Sequence, residues 1–254
     1  MSNQQTERVK VFFNEIAQDY SNRYTNERPF LNFFHRQRIK AALRGQDFTG
    51  KRIWDIGAGI GILQHFLADK NEDFSYFASD ISSEMHVISG ISEENYFVGQ
   101  ADNAPISFKD FQSVFLLGVT TYLQQKELIH LLQKTLPERT VSGAQLFITF
   151  THKSSLDFKL RKIIKFFSAF LPENRFVLGQ KFTVKAYTSD EIADLLPLSF
   201  QIEKIIFLNQ SFFLFNRLFP NYSVQLARKT FLRKDSFFKR WLSSDFLVIA
   251  HRRQ

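Results

Sequence analysis

Apolar residues recur every three or four positions near the start of the chain: Val9, Phe12, Phe13, Ile16 and Tyr20, then Phe30, Phe34, Ile39 and Leu43. A period near 3.6 puts such positions on one helix face, so helices are expected over residues 9–20 and 30–43. Gly45 and the QDFTGK segment break the pattern before residues 52–56 (RIWDI), a short apolar run suited to a buried strand. A glycine-rich turn follows, helical spacing returns over residues 60–67, and residues 74–79 (FSYFAS) read as the next strand.

The alternation continues with a helix over 83–89, strands over 96–98 and 113–117, and a helix over 125–136 that Pro137 is expected to stop. A strand over 144–150 (AQLFITF), a helix capped by Thr188 or Ser189, and strands over 202–208 and 246–251 complete the order. Strands alternating with helices imply an α/β fold, a mostly parallel sheet covered on both faces. No repeat or low-complexity linker interrupts it. One domain over 1–254 is expected, with a helical cap over 1–45 and insertions over 153–185 and 209–243.

Composition narrows the chemistry. There is no cysteine, which excludes disulfides, thiolate nucleophiles and Cys-ligated metals. The first ten residues are polar and no run approaches the length of a membrane span, so a cytoplasmic protein, at most peripheral to a membrane, is expected. The net charge of +8 is unevenly spread. Residues 1–152 hold 15 basic and 17 acidic side chains, whereas residues 153–185 hold eight and two, and residues 209–243 seven and one with seven Phe.

In the first insertion Leu156, Leu160, Ile163, Ile164, Phe167, Phe170 and Leu171 form an apolar stripe, opposite Lys159, Lys162 and Lys165. Phe166 falls on the lysine side. Basic amphipathic segments of this kind lie on anionic membrane surfaces, cover apolar pockets, or simply pack as lid helices. Nucleic acid competes for the same cations, but so many Phe at apolar helical positions fit packing or lipid better than base stacking.

The segment Ile53-Trp54-Asp55-Ile56-Gly57-Ala58-Gly59-Ile60-Gly61 carries the clearest chemical signal. Glycines permit positive φ and close approach of the backbone to a ligand, and the helix start beyond them offers free N–H groups. A dinucleotide turn, G-x-G-x-x-G, needs a third glycine where Ile62 stands. Asp55 at the strand end would oppose a pyrophosphate and suits a ligand bearing an ammonium or sulfonium group.

With Asp55 to Gly61 matching (D/E)-x-G-x-G-x-G, the sequence resembles the class I S-adenosylmethionine (SAM)-dependent methyltransferases, in particular those acting on quinones and natural products. Asp80, in Ala78-Ser79-Asp80-Ile81-Ser82, stands at the end of the second strand, and Gln100-Ala101-Asp102-Asn103-Ala104-Pro105 follows the third. The resemblance implies a Rossmann-like, seven-stranded sheet. It also implies that Asp55, Gly57, Ala58, Gly59 and Gly61 hold the methionine end of SAM, Asp80 with Ile81 the ribose, and Asp102 with Asn103 the adenine. Gly118, in the loop after the fourth strand, would close under the methionine part. Phe12 to Tyr20 and Tyr187 to Ile192 are similar to segments of small-molecule methyltransferases, and the amino-methylase signature N/D-P-P-Y/F is missing.

The expected activity is methyl transfer from SAM, leaving S-adenosylhomocysteine (SAH), to a small-molecule or lipid-like acceptor. An RNA methyltransferase, a nicotinamide-dependent reductase and a non-catalytic SAM- or nucleotide-binding protein are the competing readings. Displacement at a sulfonium relies mainly on alignment in a dry site. Where a hydroxyl acceptor needs a base, Tyr122 and His152 lie just past the fourth and fifth strands, and His35 on the second helix is within reach. His65, His86, His130 and His251 have no acidic partner at metal-ligand spacing, so no metal is expected.

Overall fold

The computed structural model describes residues 4–25, 28–70, 73–168 and 184–253. Helices α1 (Gln4–Tyr20) and α2 (Pro29–Leu43) precede strand β1 (Lys51–Ile56), α3 (Ile62–Ala68), β2 (Phe74–Asp80), α4 (Ser83–Ser89) and β3 (Tyr96–Val98). Then come β4 (Phe111–Leu116), α5 (Gln125–His130), α6 (Leu136–Arg139), β5 (Thr140–Thr151), α7 (Leu156–Ser168) and α8 (Ser189–Leu195). The chain closes with β6 (Phe200–Gln210), α9 (Phe213–Leu218), α10 (Pro220–Phe231), α11 (Phe237–Leu242) and β7 (Ser243–Arg252).

The seven strands lie in the order β3-β2-β1-β4-β5-β7-β6. All neighbours are parallel except β7, which runs antiparallel to both β5 and β6. This is the expected Rossmann-like sheet. Its strand order reverses between β1 and β4, the place where open α/β sheets leave a crevice at the carboxyl ends of their strands.

Alternate side chains build a core on each face, as a doubly covered sheet requires. Trp54, Val114, Leu116, Ile148 and Val248 pack under α5, α6 and α8, and Ile53, Phe115, Phe147 and Ile249 under α2 and α3. Phe115 and Phe147 stack across β4 and β5 at 4.6 Å with rings 9° from parallel. Burying one such ring contributes about 2–3 kcal/mol, so the many Phe are first of all core.

Thr188 caps α8, its hydroxyl accepting the Glu191 N–H while the Glu191 carboxylate accepts the Thr188 N–H. Pro137, by contrast, does not end the helix that starts at Gln125. A π-turn over Leu131–Thr135 leads into α6, where Pro137 occupies the first turn and its missing N–H costs no bond. In the first insertion α7 follows the amphipathic stripe as far as Ser168; Phe170 and Leu171, with the rest of residues 169–183, lie outside the described residues. No described helix is long and apolar enough to cross a membrane.

Helix α1 lies across the carboxyl edge of the sheet. Ala17 is buried with Ile60 and Met85 in a small cluster that Phe13, Ile16 and Tyr20 complete. Ser82 donates to Asn14 Oδ1 (2.6 Å), Thr6 to Glu127 Oε1 (2.9 Å), and Gln5 Nε2 to the Tyr122 carbonyl (3.1 Å). These contacts hold a cap over the crevice from α4 to α5.

Candidate functional site

Beneath that cap is a cavity of about 350 Å³. Its floor is the turn after β1. Gly57, Gly59 and Gly61 have φ of 73°, 55° and 74°, a left-handed conformation that costs side-chain-bearing residues energy. Gly57 is also sterically fixed, since a Cβ there would come within 2.2 Å of Val119 Cγ2. The Gly57 and Ala58 N–H groups both donate to the Ser79 carbonyl, at 2.7 and 3.1 Å, tying the turn to β2. The helix beyond starts at Ile62, two residues later than the hydrophobic spacing indicates, because Gly57 to Gly61 are spent on the turn.

Two carboxylates flank it, Asp55 buried and Asp80 half-buried. Asp80 Oδ2 accepts the Gly59 N–H and Oδ1 the Ser82 N–H, each at 2.9 Å. Burial raises its pKa in spite of these bonds. Asp55 accepts the Tyr76 hydroxyl at 2.6 Å; burial pushes its pKa up to about 7, with the Tyr76 bond opposing the rise and the Asp80 charge adding to it. Among the described residues no cation pairs with either carboxylate. A buried anion without a counter-charge is costly, so the pair suits a ligand that brings positive charge and hydroxyl donors.

The structure distributes the other expected site residues unevenly. Ile81, Gly118 and Tyr122 line the cavity with Asp55, Gly57, Ala58, Gly59 and Asp80. Gly61, the cap residue of α3, is not among the lining residues. Gly118 has φ 89°, and a Cβ there would stand 2.7 Å from Arg38 Nη1, which explains the glycine. Asp102 is in the wall, but both its oxygens are engaged: Thr135 donates to Oδ1 at 2.5 Å and His130 Nδ1 meets Oδ2 at 2.9 Å. Asn103 is not among the lining residues.

His152 corrects the expectation placed on it. It lies away from the cavity, buried between Phe207 and Phe246, with Nδ1 at 3.0 Å from the Ser243 carbonyl. Burial lowers its pKa. At the end of β5 the neighbouring strand is β7, and the imidazole turns to that side rather than to the β1/β4 crevice. Tyr122 does face the cavity, with burial pushing its hydroxyl up to about 12, so it is a neutral donor near pH 7.

Among the lining residues Arg23, Tyr24 and Arg38 carry no sequence signal, whereas Phe13, Tyr20 and His35 fall on the expected N-terminal helices. Tyr20, Arg23, Tyr24, His35 and Arg38, from α1, α2 and their connection, form the roof with Phe13. His35 packs against Tyr24 and Phe34, its Nε2 buried without a hydrogen-bond partner among the described residues, and burial with two nearby guanidinium groups holds its pKa well below the usual imidazole value. Only the reach of His35 is apparent from its helix; Arg23 and Arg38 sit at spacings that any solvated helix face would share. No group of metal-ligating side chains is present among the described residues.

No protein-family model and no curated protein matches the sequence. Solved structures do match the fold. Magnesium protoporphyrin IX methyltransferase from Synechocystis PCC 6803, with bound SAH, superposes with a TM-score of 0.64 at 13% identity over 98% of this chain and 100% of that one. A putative methyltransferase from Haloferax volcanii, in complex with the Trm112 methyltransferase activator, gives 0.62 at 12% identity over 95% and 98%. A possible histamine N-methyltransferase from Thermotoga maritima gives 0.58 at 15% over 97% and 100%. The chain has the fold of SAM-dependent methyltransferases.

Proposed function

We propose that the protein is a SAM-dependent methyltransferase acting on a small, apolar or lipid-like acceptor. The observation that carries this reading is Asp80, half-buried at the cavity floor and hydrogen-bonded to Gly59 in a turn of three left-handed glycines. Asp80 with Ile81 holds the ribose hydroxyls, since a carboxylate accepts two at once. Asp55, Gly57, Ala58, Gly59, Gly61 and Gly118 hold the methionine end, and residues 99–102 the adenine. Asp102, braced by Thr135 and His130, shapes that wall, and Asn103 closes the loop behind it with its N–H on the Gln100 carbonyl.

When bound, SAM supplies a methyl group activated by a positive sulfonium. The chain's own task is alignment and exclusion of water, for which α1 and its aromatic face are the means. Phe13, Tyr20, Tyr24 and Tyr122 give the acceptor an apolar enclosure with hydroxyls at its edge. Tyr122 is the candidate to hydrogen-bond the attacking group. His152 is given no catalytic part.

The test is the shift in melting temperature with SAM, SAH and NAD for the wild type and Asp80→Ala, since a ligand that binds only the native state stabilises it. Stabilisation by SAM and SAH that Asp80→Ala abolishes supports the reading. A shift with NAD alone would turn it toward a reductase, and tight SAM binding without transfer to a broad acceptor panel toward a non-catalytic SAM-binding protein.

A further inference from the structure

Every exposed Phe or Tyr ring among the described residues is on one group of helices: Phe166 on α7, Phe219 and Tyr222 where α9 meets α10, and Phe237 and Phe238 on α11. A globular surface rarely concentrates large rings in this way without a partner. The densest part is the turn from α10 into α11, where Leu232, Phe237 and Phe238 are 78%, 84% and 56% exposed. Arg233 and Lys234 stand exposed in the same turn.

This turn is held in shape. Lys239 is buried and donates from Nζ to the Phe231 and Arg233 carbonyls at 2.8 and 2.9 Å, and the Ser236 hydroxyl caps α11 by accepting the Lys239 N–H. The one acidic side chain in residues 209–243, Asp235, is neutralised by Arg240 at 2.6 Å. What faces solvent is therefore apolar rings among cations, with Arg217, Arg228 and Lys229 exposed farther back on α9 and α10. Helices α9 to α11 join the end of β6 to the start of β7, so they leave the sheet at the edge that also carries the cavity.

We propose that the α10–α11 turn docks the protein on an anionic lipid bilayer, with Phe237, Phe238 and Leu232 entering the interface and Arg233 and Lys234 meeting the headgroups. Rings that insert and cations that meet acidic lipid are complementary to such a surface in both chemistry and charge. Nucleic acid would use the cations but leaves Leu232 without a role. The proposal is independent of the cofactor, and its test needs none.

The full chain is floated with vesicles of phosphatidylcholine alone and of phosphatidylcholine with phosphatidylglycerol in equal parts. Binding is expected only to the anionic vesicles, and Phe237→Ser/Phe238→Ser and Arg233→Glu/Lys234→Glu are each expected to weaken it roughly tenfold or more, whereas Ile106→Ser, exposed elsewhere, does not. The unmodified chain gives a second readout. Trp54 is fully buried and Trp241 lies 6.1 Å from Phe238, so quenching by brominated lipid reports Trp241 entering the bilayer. Absence of vesicle binding, binding that both double variants retain, binding without quenching, or binding to tRNA alone that fails steeply as salt rises would overturn the proposal.

Discussion

Arg38 on α2 donates from Nε at 3.0 Å and from Nη2 at 2.5 Å to a single oxygen, Oδ2 of Asp245 at the start of β7. Asn209 Nδ2 donates to the same oxygen at 3.2 Å, and Gln37, one residue before Arg38, accepts the Asn209 N–H at 2.8 Å. The roof of the cavity is thus fastened to the far strands of the sheet by an ion pair whose carboxylate is buried and whose guanidinium is nearly so. Arg38 also covers the Phe34 ring at 4.1 Å and closes on Gly118.

Removing one member of such a pair strands the other. Arg38→Met is expected to cost about 3–5 kcal/mol in urea unfolding, because Asp245 would stay buried with Asn209 as its remaining partner. Arg38→Met with Asp245→Leu is expected to recover much of that loss. A single variant as stable as the wild type would mean that the pair does not hold the cap.

Gly57→Ala combines two penalties, positive φ and a Cβ on Val119. Together they are expected to cost about 2–4 kcal/mol and to abolish the thermal shift with SAM. Adding Val119→Ala removes the clash and leaves the φ strain, so stability should return only in part. Full recovery in thermal denaturation would show that the φ of Gly57 is not strained.

Asp80→Asn keeps the shape of the side chain and removes its charge. Losing charge-assisted bonds worth about 1.5–3 kcal/mol each should weaken SAM binding by at least tenfold in calorimetry, with a smaller effect on folding. Unchanged affinity would place the ribose elsewhere.

His35 makes the ligand-free protein sensitive to acid. Its pKa is lowered in the folded state, so the unfolded chain takes up a proton first, and stability falls as pH drops below the ordinary imidazole value of about 6.5. His35→Phe, placed among Tyr20, Tyr24 and Phe34, should lose this part of the acid sensitivity without loss at pH 8. Parallel stability–pH curves for the two proteins would rule it out.

The parts of this molecule legible in its sequence are those that local chemistry determines. The run from Ile53 to Gly61 announces strand and turn because glycines and a strand-end carboxylate are neighbours, and Asp80 follows at the end of the next strand. Pro137 misleads because a π-turn, invisible in apolar spacing, lets the helix pass it. His152 misleads because its strand's carboxyl end borders two environments and sequence does not say which the ring enters. The Arg38–Asp245 bond joins residues 207 positions apart, and nothing near either one marks its partner. Asp102 is legible as a cavity residue, but its bonds to Thr135 and His130 depend on that same unforeseen turn.

Asp55 links stability, pH and ligand in one carboxyl group. Its pKa is raised to about 7 in the folded state against about 3.9 in an unfolded chain. Below both values the two states carry the same proton and Asp55 makes no pH-dependent difference. Between about pH 4 and 7 the unfolded state ionises while the folded one does not, so this contribution to stability is lost as pH rises, at up to about 1.4 kcal/mol per unit. Asp80, raised in the same direction by burial, adds to the trend. Asp55→Asn retains an acceptor for the Tyr76 hydroxyl and should be more stable than the wild type at pH 8 in the absence of ligand, the difference vanishing toward pH 4. A cationic ligand reverses the preference, because it favours the ionised carboxylate. SAM affinity should therefore rise by up to about tenfold per pH unit below 7 and level off above it, with proton release visible as a buffer-dependent binding enthalpy. Equal SAM affinity at pH 6 and 8 would remove Asp55 from the cofactor site, and an Asp55→Asn variant no more stable at pH 8 would show that burial does not raise the Asp55 carboxyl.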